Sequence, residues 1–265
     1  MAKNGTIPID DTCIDYISFG RGTSTLVMLP GLSESLRGVK GTALLFSILY
    51  RKLARDFTVY LFGRRRVLPK DFSIADMARD VAHAMNKLAI DAACMLGVSQ
   101  GGMIAQVLAI EHPPLVQKLV LAVTLSRPND TVREYARAVI ELAKNGNYKQ
   151  LMQTTLASSY SERYLKKHKL LIPFAVHFGK PKNFDKFLVQ AKACLHHDVY
   201  ERLQKIQCPV LVIGGEDDRV VSAKASREIA EKIPQSELYL YSGLGHAAFD
   251  EARDFWERVA WFCKR

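Results

Sequence analysis

The sequence predicts an α/β fold: a mostly parallel central sheet with helices on both faces and a helical cap inserted between two strands. Short apolar runs alternate with helical patterns along most of the chain, as expected for parallel strands buried on both faces. Residues 127–200 contain helical patterns but no strand candidate. The chain has 265 residues, of which 48% are hydrophobic, so it can bury one large core.

The strand candidates are short apolar runs, most of them rich in Val, Ile and Leu. They lie at Thr6–Ile9, Thr12–Phe19, Thr25–Leu29, Phe57–Phe62, Ala93–Val98, Lys118–Thr124, Pro209–Ile213 and Glu237–Tyr241. Asp10 and Asp11 separate the first two runs, which predicts a hairpin at an antiparallel edge of the sheet. Helical patterns separate most of the others, which predicts parallel strands joined by crossover helices.

Helical patterns occupy the longer connections between these runs. They lie at Thr42–Ala54, Ser73–Leu88, Met103–Glu111, Ala223–Lys232 and Phe249–Cys263. Ser73 and Asp76 have the spacing of a capping box, which predicts where the second helix begins. His112 and the two prolines after it predict where the third one ends.

Residues 127–200, called the cap segment below, are expected to cover one end of the sheet, with a core formed by residues 1–126 and 201–265. The helical patterns of the cap segment lie at Val132–Lys144, Tyr148–Leu156, Glu162–Leu171 and Phe184–Leu195. No spacer rich in Gly, Ser or Pro marks its borders, so we expect an insertion and not a separately folding domain. Residues 129–200 carry 12 Lys and Arg against 6 Asp and Glu, part of the net charge of +10.

Two groups of side chains in the cap segment have open roles. The apolar group either lines an acyl pocket or packs the cap onto the sheet; it comprises Leu151, Met152, Leu156, Tyr160, Phe174, Phe178 and Phe187. The histidines either contact substrate or, as we favour, are solvated or structural; they are His168, His177, His196 and His197.

The strongest functional signal is the segment Gly97–Gly102, called the serine turn below, which reads Gly-Val-Ser-Gln-Gly-Gly. It ends an apolar strand candidate and precedes a helical pattern, which is the context of a nucleophile elbow. The serine of such a turn has strained backbone angles, and the glycines let neighbouring backbone pass without Cβ clashes. The next helix points unpaired N–H groups at the reacting centre. We therefore predict that Ser99 is a nucleophile.

A serine nucleophile requires a base, and the base requires an acid that orients it. In a fold with this kind of turn, the chain order is Ser, then Asp or Glu, then His. Glu216, Asp217 and Asp218 follow one late strand candidate, and His246 follows the next on a glycine-rich turn. The carboxyl ends of parallel strands meet at one sheet edge, so these residues should converge there. His246 is the predicted base, Asp218 the preferred acid and Asp217 the runner-up.

An oxyanion hole is predicted from the same arrangement. Acyl transfer builds negative charge on a carbonyl oxygen, and fixed backbone N–H groups stabilise it. One donor should be Gln100, the residue after the predicted nucleophile. The other should be Leu32, in the turn after strand Thr25–Leu29, where Gly31 permits a sharp bend.

The motifs together resemble the α/β-hydrolase family, in particular its carboxylesterases and 3-oxoadipate enol-lactonase-like serine hydrolases, over essentially the whole chain. The resemblance is carried by Leu29–Leu32, Gly97–Gly102, Glu111–Pro113, Gly215–Asp218 and Gly243–His246. It implies that Ser99, Asp218 and His246 are nucleophile, acid and base. The implied reaction is hydrolysis of a carboxylic ester or lactone through an acyl-enzyme intermediate.

Two segments differ from the pattern of this family. Pro30–Gly31 stands where many relatives have His-Gly, and Gly63–Arg66, called the arginine run below, replaces an Asp-x-Arg-Gly turn. Because Arg64, Arg65 and Arg66 follow a strand, they should lie near the rim of the site. Two roles are open for them: binding a substrate carboxylate or phosphate, or forming a solvated loop.

No metal, nucleotide or other cofactor is expected. Gly243–Ala248 matches a dinucleotide fingerprint but lacks the βαβ unit and downstream acidic residue that such a site needs. The cysteines are scattered and show no C-x-x-C spacing, so neither a disulfide framework nor a zinc site is expected; they are Cys13, Cys94, Cys194, Cys208 and Cys263.

The expected partner is a small-molecule ester or lactone. No nucleic-acid motif accompanies the positive charge, so a basic solvated surface is expected and nucleic-acid binding is not. No apolar run is long enough to span a membrane, and residues 1–11 hold no apolar signal, which predicts a cytoplasmic protein. The oligomeric state and acyl length stay open, as do two other functions: ligand sensing without hydrolysis, and acyl transfer or cofactor-free lyase chemistry.

Overall fold

The fold, seen in a computed structural model that describes residues 2–177 and 180–265, is built around one eight-stranded sheet. The strand order is β1-β2-β4-β3-β5-β6-β7-β8. The strands are β1 Lys3–Ile9, β2 Thr12–Gly20, β3 Ser24–Leu29, β4 Phe57–Arg65, β5 Ala93–Val98, β6 Val116–Ala122, β7 Val210–Gly215 and β8 Ser236–Tyr241. β1 pairs with β2, and β2 with β4, in antiparallel orientation at one edge of the sheet. The remaining neighbours in this order, from β4 through β3 to β8, pair in parallel. The predicted fold class is confirmed.

The helices lie on both faces of this sheet and between β6 and β7. They are α1 Glu34–Arg37, α2 Ala43–Leu49, α3 Arg51–Asp56, α4 Ile74–Lys87, α5 Gln100–Glu111, α6 Asp130–Lys144, α7 Tyr148–Ser159, α8 Glu162–His168, α9 Ile172–His177, α10 Asp185–Leu195, α11 Ala223–Lys232, α12 Ala248–Glu251 and α13 Phe255–Lys264. The capping box of Ser73 and Asp76 is present at the start of α4.

Two helices predicted as continuous are each divided in the structure. Tyr50 leaves helical geometry between α2 and α3, and Ala252 adopts extended backbone after α12. In both cases the apolar spacing continues across the break, because both halves pack the same face of the sheet. A periodic pattern therefore locates the buried side but not the break.

The core consists of two apolar layers, one on each face of the sheet. Along β5, Met95 belongs to the layer under α4, α5 and α11, whereas Cys94 and Leu96 belong to the layer under α3 and α13. This alternation follows from the two-residue period of a strand. Because both faces of β5 are covered, its carboxyl end is rigidly placed at the sheet edge.

Five helices, α6–α10, lie between β6 and β7 among the described residues. Leu151 and Phe187 are buried in a separate apolar cluster that joins α6, α7 and α10, and Met152 packs against it. These three side chains thus pack helices of the cap segment together. Phe178 lies outside the described residues, as does the side chain of Phe174. The division into core and cap segment stays a prediction.

The expectation about the cysteines needs a correction, because Cys94 of β5 and Cys263 of α13 form a disulfide. Their Cα atoms are 6.0 Å apart although the residues are 169 positions apart in sequence. The pairing arises because α13 packs on the face of β5 that carries Cys94. Scattered spacing gave no hint of it, since only the tertiary fold brings the two side chains together. Cys13, Cys194 and Cys208 are free thiols.

Among the described residues, no helix combines the length and apolar content required to cross a membrane.

Candidate active site

The serine turn connects β5 directly to α5. Ser99 has φ 53° and ψ −118°, a left-handed conformation that is costly for any residue but glycine. Its N–H donates to the carbonyl of Ala122 in β6 at 2.9 Å, and its own carbonyl accepts from the Thr124 hydroxyl at 2.7 Å. The end of β6 and the loop after it therefore hold the strained residue through both its N–H and its carbonyl.

The glycines of the serine turn are required by close backbone contacts. A Cβ on Gly101 would lie 1.9 Å from the carbonyl oxygen of Leu29, and one on Gly97 would lie 2.4 Å from the carbonyl oxygen of Gly101. No side chain fits at either position without moving backbone. The G-x-S-x-G spacing is thus explained by how tightly β3, β5 and α5 meet at this turn.

The structure brings Ser99, His246 and Asp218 together, although they lie on three separate loops. The Nε2 atom of His246 is 3.0 Å from Ser99 Oγ, and its Nδ1 atom is 2.8 Å from Asp218 Oδ2. His246 and Asp218 are both buried, and Ser99 is partly exposed. The imidazole thus bridges a hydroxyl and a carboxylate, one through each ring nitrogen.

Asp218 is held in its charged form by several partners. Burial by itself would raise the pKa of the carboxyl group, but the His246 imidazole and the N–H groups of Val220 and Val221 outweigh burial and lower it. Those N–H groups donate to Oδ1 at 2.8 and 2.9 Å. One carboxylate oxygen is therefore fixed by backbone while the other faces the histidine.

The two competing acids lie elsewhere. Glu216 is exposed and forms an ion pair with Arg227 at 3.4 Å. Asp217 is also exposed, and its backbone N–H donates to Leu244 at 2.9 Å. Of the three acidic residues after β7, Asp218 alone contacts His246 within hydrogen-bonding distance in the part of the chain that the structure describes.

Of the two predicted oxyanion donors, Gln100 lies within the serine turn, and Leu32 follows the residue that packs against it. Gln100 is the first residue of α5, and the first N–H groups of a helix have no acceptor within that helix. Leu32 follows Gly31, where a Cβ would lie 3.2 Å from the Cβ of Ser99. The turn between β3 and α1 therefore packs directly against the serine side chain.

Arg64 has a position that the sequence did not suggest. Its side chain is buried, and its guanidinium donates to the carbonyl of Pro30 at 2.7 Å and to that of Phe62 at 3.4 Å. Burial lowers the pKa of this guanidinium, and the charge of Glu34 opposes that effect. Where many relatives have His-Gly, this chain thus ties the turn through Pro30 to a buried arginine. The one sequence feature that pointed to this contact is that Pro30–Gly31 and the arginine run both differ from the family pattern.

The other two arginines of the arginine run pair with carboxylates of the protein itself. Arg65 binds both carboxylate oxygens of Asp80 at 2.7 Å and Asp10 at 2.8 Å. Arg66 binds both oxygens of Asp15 at 2.7 and 2.9 Å. Arg66 lies on an exposed bend, as the solvated-loop role predicts, whereas the side chain of Arg65 is largely buried in its ion pair with Asp80.

One ion pair connects this region to the cap segment. Lys186 of α10 donates to Glu34 at 3.2 Å and to the carbonyl of Arg64 at 3.4 Å. The side chain of Glu34 is almost fully buried, and it also accepts from the backbone N–H of Arg64 at 3.3 Å. The turn beside Ser99 is therefore in contact with the cap segment through a partly buried charge pair.

Within the described residues, no group of three or more His, Cys, Asp or Glu side chains is arranged to hold a metal ion.

The sequence and the fold resemble known proteins over most of their length. The family model described as α/β hydrolase fold matches residues 25–253. A protein named as carbamate hydrolase RutD, from Caulobacter sp. (strain K31), is 26% identical over 79% of this chain and 81% of its own. A 2-hydroxy-6-oxononadienedioate/2-hydroxy-6-oxononatrienedioate hydrolase from Pseudomonas sp. is 25% identical over 99% and 93%.

Among solved structures, the enol-lactonase from Burkholderia xenovorans LB400 superposes with a TM-score of 0.85 at 18% identity, covering 98% of this chain and all of the lactonase. This likeness shows a shared fold. The family match is the stronger finding, because it covers most of the sequence and includes all three residues that meet in the site. The chain therefore belongs to the α/β hydrolase fold family, and it is a hydrolase.

Proposed function

We propose that Ser99, His246 and Asp218 form a catalytic triad that hydrolyses a carboxylic ester or a lactone. The observation that carries this proposal is the pair of contacts made by His246, at 3.0 Å to the serine hydroxyl and at 2.8 Å to the carboxylate. A serine, a base and an orienting acid within hydrogen-bonding distance are what nucleophilic acyl transfer requires.

In the proposed mechanism, His246 takes the proton from Ser99 as the serine oxygen attacks the substrate carbonyl. The backbone N–H groups of Leu32 and Gln100 stabilise the resulting oxyanion. His246 then protonates the departing alkoxide as the ester bond breaks, leaving an acyl group on the serine. Water, deprotonated by the same histidine, cleaves the acyl-enzyme and restores the serine. Asp218 keeps the imidazole in the required tautomer and stabilises its charged form.

Carbamate hydrolysis is a second candidate, supported by the relative named as a carbamate hydrolase. A carbamate presents the same carbonyl carbon to a serine nucleophile, but its leaving group or its acyl group carries nitrogen. The same three side chains would serve, so the triad does not separate the two candidates. A panel of esters, lactones and carbamates of graded size, compared by kcat/KM, ranks them directly.

The first test is the variant Ser99→Ala on a small p-nitrophenyl ester. We expect kcat to fall by about 10³-fold or more, because the nucleophile is lost. A matched control is Ser226→Ala, which removes the hydroxyl of a buried serine in α11. A fluorophosphonate probe should label the parent protein and the control but not Ser99→Ala.

Full activity in Ser99→Ala would contradict the proposal. A labelled parent protein without measurable turnover of any ester, lactone or carbamate would favour the ligand-sensing alternative. Mass spectrometry of the products with an added alcohol acceptor separates acyl transfer from hydrolysis.

The second test is Asp218→Asn, which keeps the shape of the acid and removes its charge. We expect kcat to fall by about 10⁴-fold, because an amide no longer selects the imidazole tautomer that accepts the serine proton. The runner-up variant Asp217→Asn is the control and should retain activity within about twofold. The reverse pattern would assign the acid to Asp217.

A further inference from the structure

The outer face of α2 is an unusual surface for a folded protein. Its four largest outward side chains are aliphatic and more than half exposed: Leu44 (69%), Leu45 (55%), Ile48 (60%) and Leu49 (63%). They occupy adjacent positions on consecutive turns of one helix, so they form a continuous apolar patch. Contiguous exposed apolar patches of this kind mark interaction sites. We call these four residues the α2 patch.

The α2 patch is held outward by firm packing on the opposite side of the helix. Ala43 is buried, and Phe46 and Tyr50 pack against the core layer beneath α3 and α13. The ring of Tyr50 lies 5.5 Å from that of Phe46 and 4.6 Å from that of Trp256. The helix cannot rotate to hide its aliphatic face without removing these rings from the core.

The charged side chains in the sequence around the α2 patch are all positive, although two of them pair with carboxylates from other segments. Residues 35–55 contain five Lys and Arg and no Asp or Glu. Lys52 pairs with Glu257, and Arg55 pairs with Asp56. Lys40 and Arg51 are exposed. The charge of Lys40 contributes to lowering the pKa of the Asp15 carboxyl group, so Arg51 is the less compensated of the two. The patch therefore has positive charge beyond each of its ends, in a protein of net charge +10.

From this arrangement we infer that the α2 patch docks the protein onto an anionic lipid surface. A helix with aliphatic side chains on its exposed face and Lys or Arg at its margins is suited to the boundary between acyl chains and negatively charged headgroups. The aliphatic side chains enter the acyl region while the cations stay at headgroup level. This inference does not depend on the proposed function.

Two other occupants fit the same surface less well. A second copy of the chain, related by a two-fold axis, would bring the exposed cations Lys40 and Arg51 of both copies together, because Asp56 and Glu257 are already paired within each chain. A protein partner is disfavoured by composition, because exposed Leu and Ile without an exposed aromatic anchor are poor hot spots. Only the anionic lipid surface satisfies both the aliphatic face and the charge.

The experiment is co-sedimentation of the full chain with vesicles of phosphatidylcholine alone and of phosphatidylcholine mixed equally with phosphatidylglycerol. We expect binding to the mixed vesicles at low salt and a marked loss at about 0.5 M salt, where charge attraction is screened. Leu44→Asp should lower the vesicle partition coefficient by about tenfold or more, since it places a charge in the acyl region. Arg51→Glu should also lower binding to the mixed vesicles, because it replaces a cation near the headgroups with an anion.

The matched control is Val67→Asp, because Val67 is as exposed as Leu44, at 69%, and lies outside the α2 patch. It should bind vesicles like the parent protein, and all variants should keep the parent melting temperature. Ser99→Ala should also bind vesicles like the parent protein. The vesicle experiment therefore tests the α2 patch whether or not the catalytic proposal is correct. Three results would overturn the inference: no binding to the mixed vesicles, equal binding by Leu44→Asp, or a parent dimer in light scattering that Leu44→Asp converts to a monomer.

Discussion

The serine turn and the arginine run flank the same strand, β3, yet different forces hold them in place. In the serine turn the backbone segments are in direct contact, and Gly101 leaves no room for a Cβ beside the carbonyl of Leu29. In the arginine run the backbone is extended as far as Arg65, and three guanidinium groups are fixed by carbonyls and carboxylates. One region is defined by excluded volume and the other by charge.

This difference predicts two kinds of sensitivity to mutation. A position defined by excluded volume fails when any atom is added, whatever its chemistry. A position defined by charge fails in proportion to how completely its partner is buried, because solvent compensates an exposed loss but not a buried one. Within the arginine run, Arg64 is buried and Arg66 is exposed. Substituting each of them therefore compares the loss of a buried charge with the loss of an exposed one.

The largest effect is expected from Gly101→Ala in the serine turn. The added methyl group would lie 1.9 Å from the carbonyl oxygen of Leu29 and forces β3 and α5 apart. We expect a loss of unfolding free energy of more than about 4 kcal/mol, with no measurable hydrolysis. Chemical denaturation and probe labelling of Ser99 measure the two effects separately.

The control for that variant is Gly214→Ala in β7, where the nearest atom to the new Cβ is the Ser226 hydroxyl at 3.4 Å. It should change the unfolding free energy by less than about 1 kcal/mol. Equal effects of the two substitutions would mean that excluded volume does not distinguish the serine turn.

A smaller effect is expected from Arg64→Met in the arginine run. The substitution leaves the Pro30 carbonyl without its donor and leaves Glu34 buried with less positive charge nearby. We expect a loss of about 2–4 kcal/mol in unfolding free energy. Because the turn beside Ser99 loses its tether, kcat should fall by about tenfold while KM changes less.

Arg66→Met is the matched control for this prediction. Its ion pair with Asp15 is partly exposed to solvent, so stability and kcat should stay close to those of the parent protein. Arg64→Lys should restore part of the lost kcat, since a lysine keeps the positive charge and can still donate to a carbonyl, although without the planar fork of a guanidinium. If Arg64→Met and Arg66→Met lost equal amounts of stability and kcat, burial would not determine the size of the effect within the arginine run.

The same contrast explains what could be predicted from the sequence. The sheet, the serine turn and the convergence of Ser99, Asp218 and His246 follow from local patterns, because strand periodicity and glycine spacing express the backbone directly. The chain order of the three residues then placed them on one edge of the sheet.

What could not be predicted depends on distant partners. The arginine run sits beside Asp10, Asp15 and Asp80 only after β1, β2 and α4 have assembled. The disulfide between Cys94 and Cys263 likewise needs α13 to pack on β5. No spacing in the sequence encodes either arrangement. Local patterns therefore gave the backbone of the site but not the side chains that support it.

The smallest effect concerns two adjacent histidines of the cap segment, which a sequence cannot tell apart. His196 is exposed and contacts the carbonyl of Lys192, whereas His197 is buried and its Nε2 atom has no hydrogen-bond partner. Burial, aided by the charge of Arg202, lowers the pKa of His197 to about 3. The folded state therefore keeps this imidazole neutral at pH values where the unfolded chain protonates it.

The substitution His197→Gln tests this assignment through the pH dependence of stability. Between about pH 6.5 and pH 3 the unfolded chain binds one more proton at this position, so acidification destabilises the parent by about 1.4 kcal/mol per pH unit. Above pH 7 this contribution to stability is fully present. Relative to the variant, the parent should lose about 2 kcal/mol between pH 7.5 and pH 5 in denaturant titrations. His196→Gln is the matched control: it leaves the buried His197 in place, so the destabilisation on acidification that His197 causes should remain. An identical pH profile for the parent and His197→Gln would contradict burial of a neutral His197.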